Sequence, residues 1–289
     1  MANLKHLRNK IAAVKSIHKV AGAMKIVASV RLKKTESMTH VFRQYSDALS
    51  NVVRKIDGAS LEEDSIFLHQ NEVAQELVIV FAPSRGLCGS LHYQITKAAK
   101  KHIEELRKEQ VCAHVIVMGR ICYDSLKRFI TGTEQLRKTE IEAKNPSYDD
   151  FIALTEEILD MYAAKLYRCV RVIYAHFHSI IKFEVSNHQL LPFIKEEGYE
   201  SQKYDYLFEP SADKVLKFLI PYCIKMNLYK CFLESAASEY SSRMLAMDNA
   251  TRNAESLISN LTTCYNRGRQ SKITQELIEV ISGAESVGE

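Results

Sequence analysis

The stretch LESAASEYSSRMLAMDNATRNAESLISNLTTCYNRG, residues 233–268, decides the fold of this chain. Apolar or small side chains recur in it at alternating steps of four and three residues: Leu233, Ala237, Tyr240, Met244, Met247, Thr251, Ala254, Ile258, Leu261, Tyr265 and Gly268. That spacing is typical of a helix that winds around a second helix. Three of these positions, Ala237, Ala254 and Gly268, are small enough to let the partner helix approach closely.

This helix is expected to extend well beyond the heptad stretch in both directions. Ser211 is a suitable N-cap with Asp213 in the first turn, and Gly283 is a suitable stop. Pro221 should kink the helix or split off its first segment, because proline cannot donate a backbone hydrogen bond. We therefore predict a C-terminal helix over residues 209–285.

The first part of the chain repeats the helical pattern. Apolar positions step by three and four residues in two runs: Leu4, Leu7, Ile11, Val14, Ile17, Ala21, Met24 and Ala28, then Met38, Phe42, Tyr45, Leu49, Val52 and Ile56. They predict one helix of about fifty residues within 1–58, ending near Gly58. The two terminal helices are expected to pair as a long antiparallel coiled coil.

The middle of the chain has a different pattern, in which apolar runs alternate with amphipathic segments. Strands are predicted at 76–83, 113–119, 169–177 and 181–191, and helices at about 89–109, 120–130 and 147–166. Unbroken apolar strands separated by helices indicate a mostly parallel sheet covered on both faces. The fold class is therefore α+β or α/β: the coiled coil plus a central Rossmann-like α/β domain at 74–195.

The lengths of the helices set the expected arrangement. Helices of about fifty and seventy residues would span roughly 80 and 105 Å. An α/β domain of about 150 residues is only some 40 Å across. We therefore expect a globular foot that carries a projecting helical stalk, since pairing removes both apolar seams from water.

Composition narrows the class of protein. Of the 289 residues, 46% are hydrophobic and 26% charged, which is typical of a globular chain. We find no secretory signal and no run approaching the roughly 18 apolar residues of a membrane span. Seven cysteines without CxxC spacing favour a reduced, cytoplasmic compartment.

The N-terminal segment is strongly basic although the net charge is only +4. Residues 1–35 contain nine cations and no acidic residue: Lys5, Arg8, Lys10, Lys15, Lys19, Lys25, Arg31, Lys33 and Lys34. Clustered cations could track nucleic-acid phosphates. A solvated face, or one opposed to an acidic protein, is favoured over this because the chain has no nucleic-acid-binding motif.

The segment SRGLCGSLH, residues 84–92, is the strongest candidate for chemistry. It lacks both the dinucleotide and the P-loop glycine patterns, so a tight structural turn is favoured over a phosphate site. Cys88 could be a nucleophile, but a buried structural cysteine is favoured. His176 and His178 could share a metal; without a visible third ligand, a polar sheet face is favoured.

Three segments together resemble the gamma subunit of F-type ATP synthases. They are LKHLRNKIAAVKSIHKVAGAMKIVASVRL near the N-terminus, the SRGLCG turn, and SSRMLAMDNATRNAESLISNLTTCYNRGRQSKITQELIEVISGA near the C-terminus. The resemblance implies a central rotor shaft that is itself noncatalytic and carries no cofactor or metal. It implies as partners the alpha and beta subunits, the epsilon subunit and the membrane c-ring, with no nucleic acid and membrane contact only through the ring.

The resemblance also assigns roles to particular residues. Met24 and Lys25 lie in the family's AM-K-M-VA stretch, where the shaft meets the beta subunits. Arg269 and Gln270 match a contact to a beta-subunit loop, with Thr274 and Glu276 one and two turns further along. The structural turn comprises Arg85, Gly86, Leu87, Cys88 and Gly89.

The chain departs from the family pattern at three positions. Ser84 replaces the usual Asp before RGLCG, Gly22 replaces a basic residue, and Gly268 replaces a small Ala; each glycine costs the helix about 1 kcal/mol relative to Ala. The chain lacks the inserted cysteine pair of chloroplast relatives and a mitochondrial presequence. We therefore expect a bacterial protein, peripheral on the cytoplasmic face of the inner membrane.

Two other classes of function stay open at this point. One is a stand-alone α/β enzyme with helical arms, which would bind a nucleotide or metal. The other is a basic coiled-coil nucleic-acid-binding protein, which would show a steep salt dependence of DNA affinity.

Overall fold

A computed structural model describes residues 2–55, 66–132, 134–139, 148–193, 209 and 211–285 of the chain. It divides into two compact units. Unit 1 comprises Met1–Ala28 and Met244–Glu289, and unit 2 comprises Ser29–Arg243.

The helices and strands of the described residues follow in chain order. They are α1 (Ala2–Lys55), β1 (Gln75–Phe81), α2 (Leu91–Lys108), β2 (Cys112–Met118), α3 (Arg120–Lys127), β3 (Gln135–Lys138), α4 (Tyr148–Ala163), β4 (Cys169–Phe177), β5 (Phe183–Leu191) and α5 (Ala212–Glu285). The predicted fold class, long terminal helices around a central sheet domain, is confirmed. The predicted end of the first helix near Gly58 and the predicted domain end at residue 195 lie outside the described residues.

Unit 2 is built on a five-stranded sheet in the order β3-β2-β1-β4-β5. The central strand β1 runs parallel to β2 and β4, with Ile79 opposite both Ile116 and Val172. β3 is parallel to β2, and β5 is antiparallel to β4. The sheet is therefore mostly parallel, as predicted, although β3 was not predicted because Leu136 is its only apolar residue.

Helices cover both faces of the sheet at its centre, which is why β1, β2 and β4 are apolar over most of their length. On one face Val78 and Val80 belong to a core shared with α2 and α3. On the other, Leu77, Ile79 and Phe81 belong to a core shared with α4 and with the unit 2 parts of α1 and α5.

Helix α5 corrects one prediction about its first segment. It is a single helix from Ala212 to Glu285 with Pro221 inside it, so the predicted split does not occur. The neighbours Ile220 and Cys223 are buried in the core, and this burial offsets the one backbone hydrogen bond that Pro221 cannot donate. The helix ends at Glu285, two residues past the stop signal at Gly283.

Unit 1 is an antiparallel pair formed by the start of α1 and the end of α5. Leu4 lies beside Gly268, with the leucine Cδ2 3.2 Å from where a Cβ on Gly268 would stand. Lys25, further along α1, pairs with Asp248, which lies earlier on α5. The core between the helices is small: Val14, Ala254 and Leu261 are buried, with Leu7, Ile11 and Ile258 packed against them.

The seam on α1 differs from the predicted one at four positions: at Met24 the next residue, Lys25, bonds across the helix pair, and the other three predicted residues are exposed. Ile17 is 59% exposed, and Tyr45 and Val52 are also exposed. The next residue takes the inward place each time: His18 is half-buried, whereas Ser46 and Val53 are buried. A strict heptad therefore continues through polar residues that a search for apolar side chains passes over.

Candidate functional site

Two charged pairs cross the helix pair of unit 1. Lys25 Nζ donates to Asp248 Oδ1 at 2.5 Å, and Arg252 donates to the other carboxylate oxygen at 2.7 Å. His18 Nε2 lies 3.3 Å from Glu255 Oε1. The hydrogen bond from Lys25, helped by the charge of Arg252, holds the pKa of the Asp248 carboxyl below its usual range.

Met24 and Lys25, the predicted contact residues on α1, have different environments. The Lys25 ammonium is engaged by Asp248, whereas Met24 is half-buried beside the seam. Ile17, Val20 and Val27 are exposed and, together with Met24, occupy one heptad-spaced stripe next to the seam. This part of α1 thus presents an apolar outer surface in addition to its inner one.

The predicted contact residues on α5 are on the surface of unit 1. Arg269, Gln270 and Thr274 are exposed, while Glu276 pairs with Lys272 at 3.2 Å along the same helix. Large apolar side chains are also exposed over this last part of α5: Ile273, Leu277, Ile278, Val280 and Ile281. They follow Gly268, the position level with Leu4 near the start of α1.

The predicted contact residues therefore form two surfaces rather than one site. Met24 is level with the part of α5 near Asp248, because its neighbour Lys25 binds that residue. Arg269 lies about twenty residues further along α5, which is about 30 Å at the rise of an α-helix. The structure brings Met24 and Lys25 together at one level, and Arg269, Gln270 and Thr274 at the other.

The SRGLCG segment forms the turn between β1 and α2 in unit 2. Leu87 and Gly89 both have left-handed backbone, at φ 65° and 60°. Arg243 of α5 donates to the carbonyl oxygen of Arg85 at 3.2 Å, and His92 Nε2 lies 2.9 Å from the same oxygen. Sequence reasoning missed Arg243 because it lies far along the chain from the turn.

Cys88 within this turn is a buried thiol. Burial raises its pKa, and the nearby charge of Arg243 offsets this only in part. A raised pKa keeps the sulfur protonated, and a protonated thiol is a poor nucleophile. The structural role favoured from the sequence accords with this environment.

His176 and His178 lie at the end of β4 with their ring centres 4.5 Å apart. His176 Nδ1 donates to Glu234, a side chain only 1% exposed, and Arg43 of α1 donates to the same carboxylate at 2.8 Å. His178 pairs with Glu184 at 3.4 Å. Within the described residues no three potential ligands cluster as a metal site would require.

Comparison with known proteins adds a sequence match over almost the whole chain. The sequence model of the ATP synthase family matches residues 3–287. The ATP synthase gamma chain of Rhizobium rhizogenes is 35% identical, with 99% of this chain and 100% of that protein covered. The chain belongs to the ATP synthase gamma-chain family. The gamma chain of Pelagibacter ubique is also 35% identical over 99% of this chain and 100% of its own length.

Solved structures share the fold of this chain. A chain in the rotor of Euglena gracilis mitochondrial ATP synthase has a TM-score of 0.62 at 16% identity, over 94% of this chain and 99% of that chain. A chain in the central stalk and c-ring of the Tetrahymena thermophila enzyme has a TM-score of 0.62 at 21% identity, covering 80% of this chain and 99% of that one.

Family membership confirms the predicted identity and places the chain in a known kind of assembly. A gamma chain is a structural subunit of ATP synthase rather than the catalytic one, so the enzyme and nucleic-acid alternatives are not favoured. ATP synthase is a membrane-associated complex. Across the described residues, every helix is too short or too polar to cross a membrane.

Proposed function

We propose that this chain is the central rotor shaft of an F-type ATP synthase. It couples proton flow through the membrane ring to conformational change in the catalytic beta subunits. The observation that carries the proposal is in unit 1: an antiparallel helix pair in which α5 continues past the start of α1 with its apolar side chains exposed.

That exposed end is the surface of a helix that works inside another structure. Monomeric proteins rarely expose contiguous apolar patches of this kind without a partner. Val280 is 69% exposed, and Leu277 and Ile281 are more than half exposed. An apolar sleeve formed by the alpha and beta subunits would cover them, and apolar contacts, being non-directional, offer little resistance to rotation.

Arg269 and Gln270 supply directional contacts, which the exposed apolar side chains at the end of α5 cannot form. A guanidinium and an amide can form charge-assisted hydrogen bonds with one beta subunit and release them as the shaft turns. Coupling requires contacts that differ between the states of the beta subunits, because a ligand that binds all states equally shifts none of them. We assign Met24, Thr274 and Glu276 to the same partner surface.

The remaining parts of the chain complete the rotor. Residues 1–58 and 209–285 supply the shaft, and residues 74–195 supply a foot that docks on the c-ring with the epsilon subunit. The Euglena gracilis chain of similar fold belongs to the rotor of its ATP synthase, which supports this assignment. For this chain we infer a peripheral position on the cytoplasmic face of a bacterial inner membrane, reached only through the ring.

The test is a double substitution, Arg269→Ala with Gln270→Ala, in the reconstituted complex. Loss of a charge-assisted hydrogen bond of about 1.5 kcal/mol would lower ATP turnover by about tenfold. The matched control is Arg8→Ala with Asn9→Ala, which removes the same charge from exposed positions of α1.

Helix content and incorporation of the chain into the complex should be unchanged by either double substitution. Unchanged turnover of the Arg269 and Gln270 variant at full incorporation would refute the contact role. A purified chain that never assembles with alpha and beta subunits would refute the rotor function itself.

A further inference from the structure

The apolar seam of unit 1 does not by itself specify how the two helices align. Its buried hydrophobic residues are few, and three of them, Ala21, Ala28 and Ala254, are alanine. A heptad repeat also returns apolar positions to apolar positions after a slip of seven residues. Charged contacts across the seam therefore add to the selection of one alignment.

Two charged pairs flank this seam, and both belong to one alignment. His18 and Lys25 are seven residues apart on α1, and their partners Glu255 and Asp248 are seven residues apart on α5. The order is reversed between the helices, as an antiparallel pair requires. Both contacts can therefore form only when the helices are aligned as observed.

A slip of one heptad breaks this arrangement in either direction. Slipping one way brings Lys25 to Glu255 but leaves Asp248 without its cation from α1. Slipping the other way brings His18 to Asp248 and sets Glu255 against the apolar Ile11. Losing an opposite charge beside the seam is unfavourable, most of all at the less exposed Asp248, and charged residues that flank a seam help to select one alignment in coiled coils.

Asp248 is the better placed of the two carboxylates for this role. Its side chain is 20% exposed and accepts hydrogen bonds on both oxygens, one from Lys25 and one from Arg252. Glu255 is exposed and receives a single longer contact from His18. Arg252 binds the second carboxylate oxygen from α5 itself, which leaves the first oxygen for Lys25 of α1.

We propose that the Lys25–Asp248 pair, positioned by Arg252, is a register lock for the helix pair of unit 1. It selects the alignment that sets Gly268 beside Leu4. Lys25 thus acts as a positioning residue within the chain rather than as a cation offered to a partner. The alignment of the two helices does not depend on the proposed rotor function. The alignment also sets the position of Arg269, and any effect of that position on coupling rests on the proposed rotor function.

Disulfide formation between the helices measures the alignment directly. Leu4→Cys is combined with Gly268→Cys for the observed alignment, with Leu261→Cys for one slip and with Gln275→Cys for the other. The full 289-residue chain is used. Cys264→Ser is present throughout, because Cys264 is the native exposed thiol among the described cysteines.

The three cysteine pairs should give different yields under mild oxidation. With Lys25 and Asp248 intact, the Gly268 pair should give roughly ten times the disulfide of either slipped pair. Adding Asp248→Asn, or independently Lys25→Gln, should lower that ratio to about threefold or less. Asp248→Glu, which keeps the charge, should preserve most of the preference.

Lys19→Gln is the matched control, since Lys19 is an exposed cation of α1 that makes no ion pair within the described part of the chain. Its ratio should equal that of the unsubstituted chain. The lock is overturned if Asp248→Asn and Lys25→Gln keep the full preference, or if Lys19→Gln lowers it equally. If Asp248→Asn loses helix content, Lys25→Gln alone decides.

Discussion

Gly119 shows how closely the backbone packs where β2 ends in unit 2. Its φ is 121°, and a Cβ at this position would stand 2.9 Å from the Ala82 carbonyl carbon and 3.0 Å from the Pro83 oxygen. It would be closer still to the oxygen of Ala82. These atoms belong to backbone, which cannot rotate away as a side chain can. Only glycine fits beside the turn that follows β1.

Gly119→Ala is therefore expected to destabilise unit 2 by about 2–4 kcal/mol, from backbone strain and overpacking combined. Gly22→Ala is the matched control: nothing lies within 4 Å of its would-be Cβ, and alanine favours a helix by about 1 kcal/mol. Urea unfolding would measure both. Equal effects of the two substitutions would contradict the close packing at Gly119.

The polar residues of the seam were not predicted from the sequence. Every predicted seam position of α5 between Leu233 and Gly268 is buried or half-buried. On α1 the search for apolar residues chose Ile17 and Tyr45, although His18 and Ser46 are the inward ones. Their partners, Glu255 and Asn227, are distant in the chain, so no local sequence pattern predicts these contacts.

The helix pair of unit 1 is stabilised in a way that depends on pH. Lys25 lowers the pKa of Asp248, so the folded carboxyl titrates below its unfolded value of about 3.9. The pair therefore contributes fully above the unfolded pKa, and the contribution is lost as pH falls through the lower, folded pKa.

The free energy of unfolding should accordingly differ between the unsubstituted chain and Asp248→Asn at neutral pH, and the difference should vanish in acid. Urea titrations followed by helix signal from pH 6 down to about pH 2 would measure this, and comparing the two chains cancels the other carboxylates. A difference that stays constant over that range would show that Asp248 is not stabilised by its cations.

Elements were predicted where their own residues determine them. β1, β2 and β4 are apolar over most of their length because both sheet faces are covered there, and this signal is strong in sequence. β3, with the sequence QLRK, has no such signal; it exists because β2 offers it a hydrogen-bonding edge. At Pro221 the sequence predicted an interruption of the helix that does not occur, because burial of α5 in the core outweighs the local effect of proline.

The whole molecule consists of two units with very different cores. Unit 2 has two large clusters on either side of its sheet, including the packed rings of Phe81, Phe151 and Phe232. Unit 1 buries three hydrophobic residues in its cluster: Val14, Ala254 and Leu261. Local opening free energies follow buried apolar contact, so the isolated chain should be least stable in unit 1.

Amide hydrogen exchange of the isolated chain should therefore be fast in residues 2–28 and 244–285 and slow in β1, β2 and β4. Opening of the helix pair should need a few kcal/mol less than opening of the sheet. Protection should rise in unit 1 when alpha and beta subunits are added. Equal protection of both units in the isolated chain would show that unit 1 is stable without the alpha and beta subunits around it.

The two edges of the sheet have a consequence for how this chain can associate. One edge, β3, is four residues long and carries Arg137 and Lys138, whereas the other, β5, is nine residues long with a polar run from Ser186 to Gln189. A short, charged edge such as β3 resists the strand addition by which sheets extend from one molecule to the next. At that edge, a neighbouring subunit is therefore expected to bind side chains rather than backbone, and such contacts can form and break without separating paired strands.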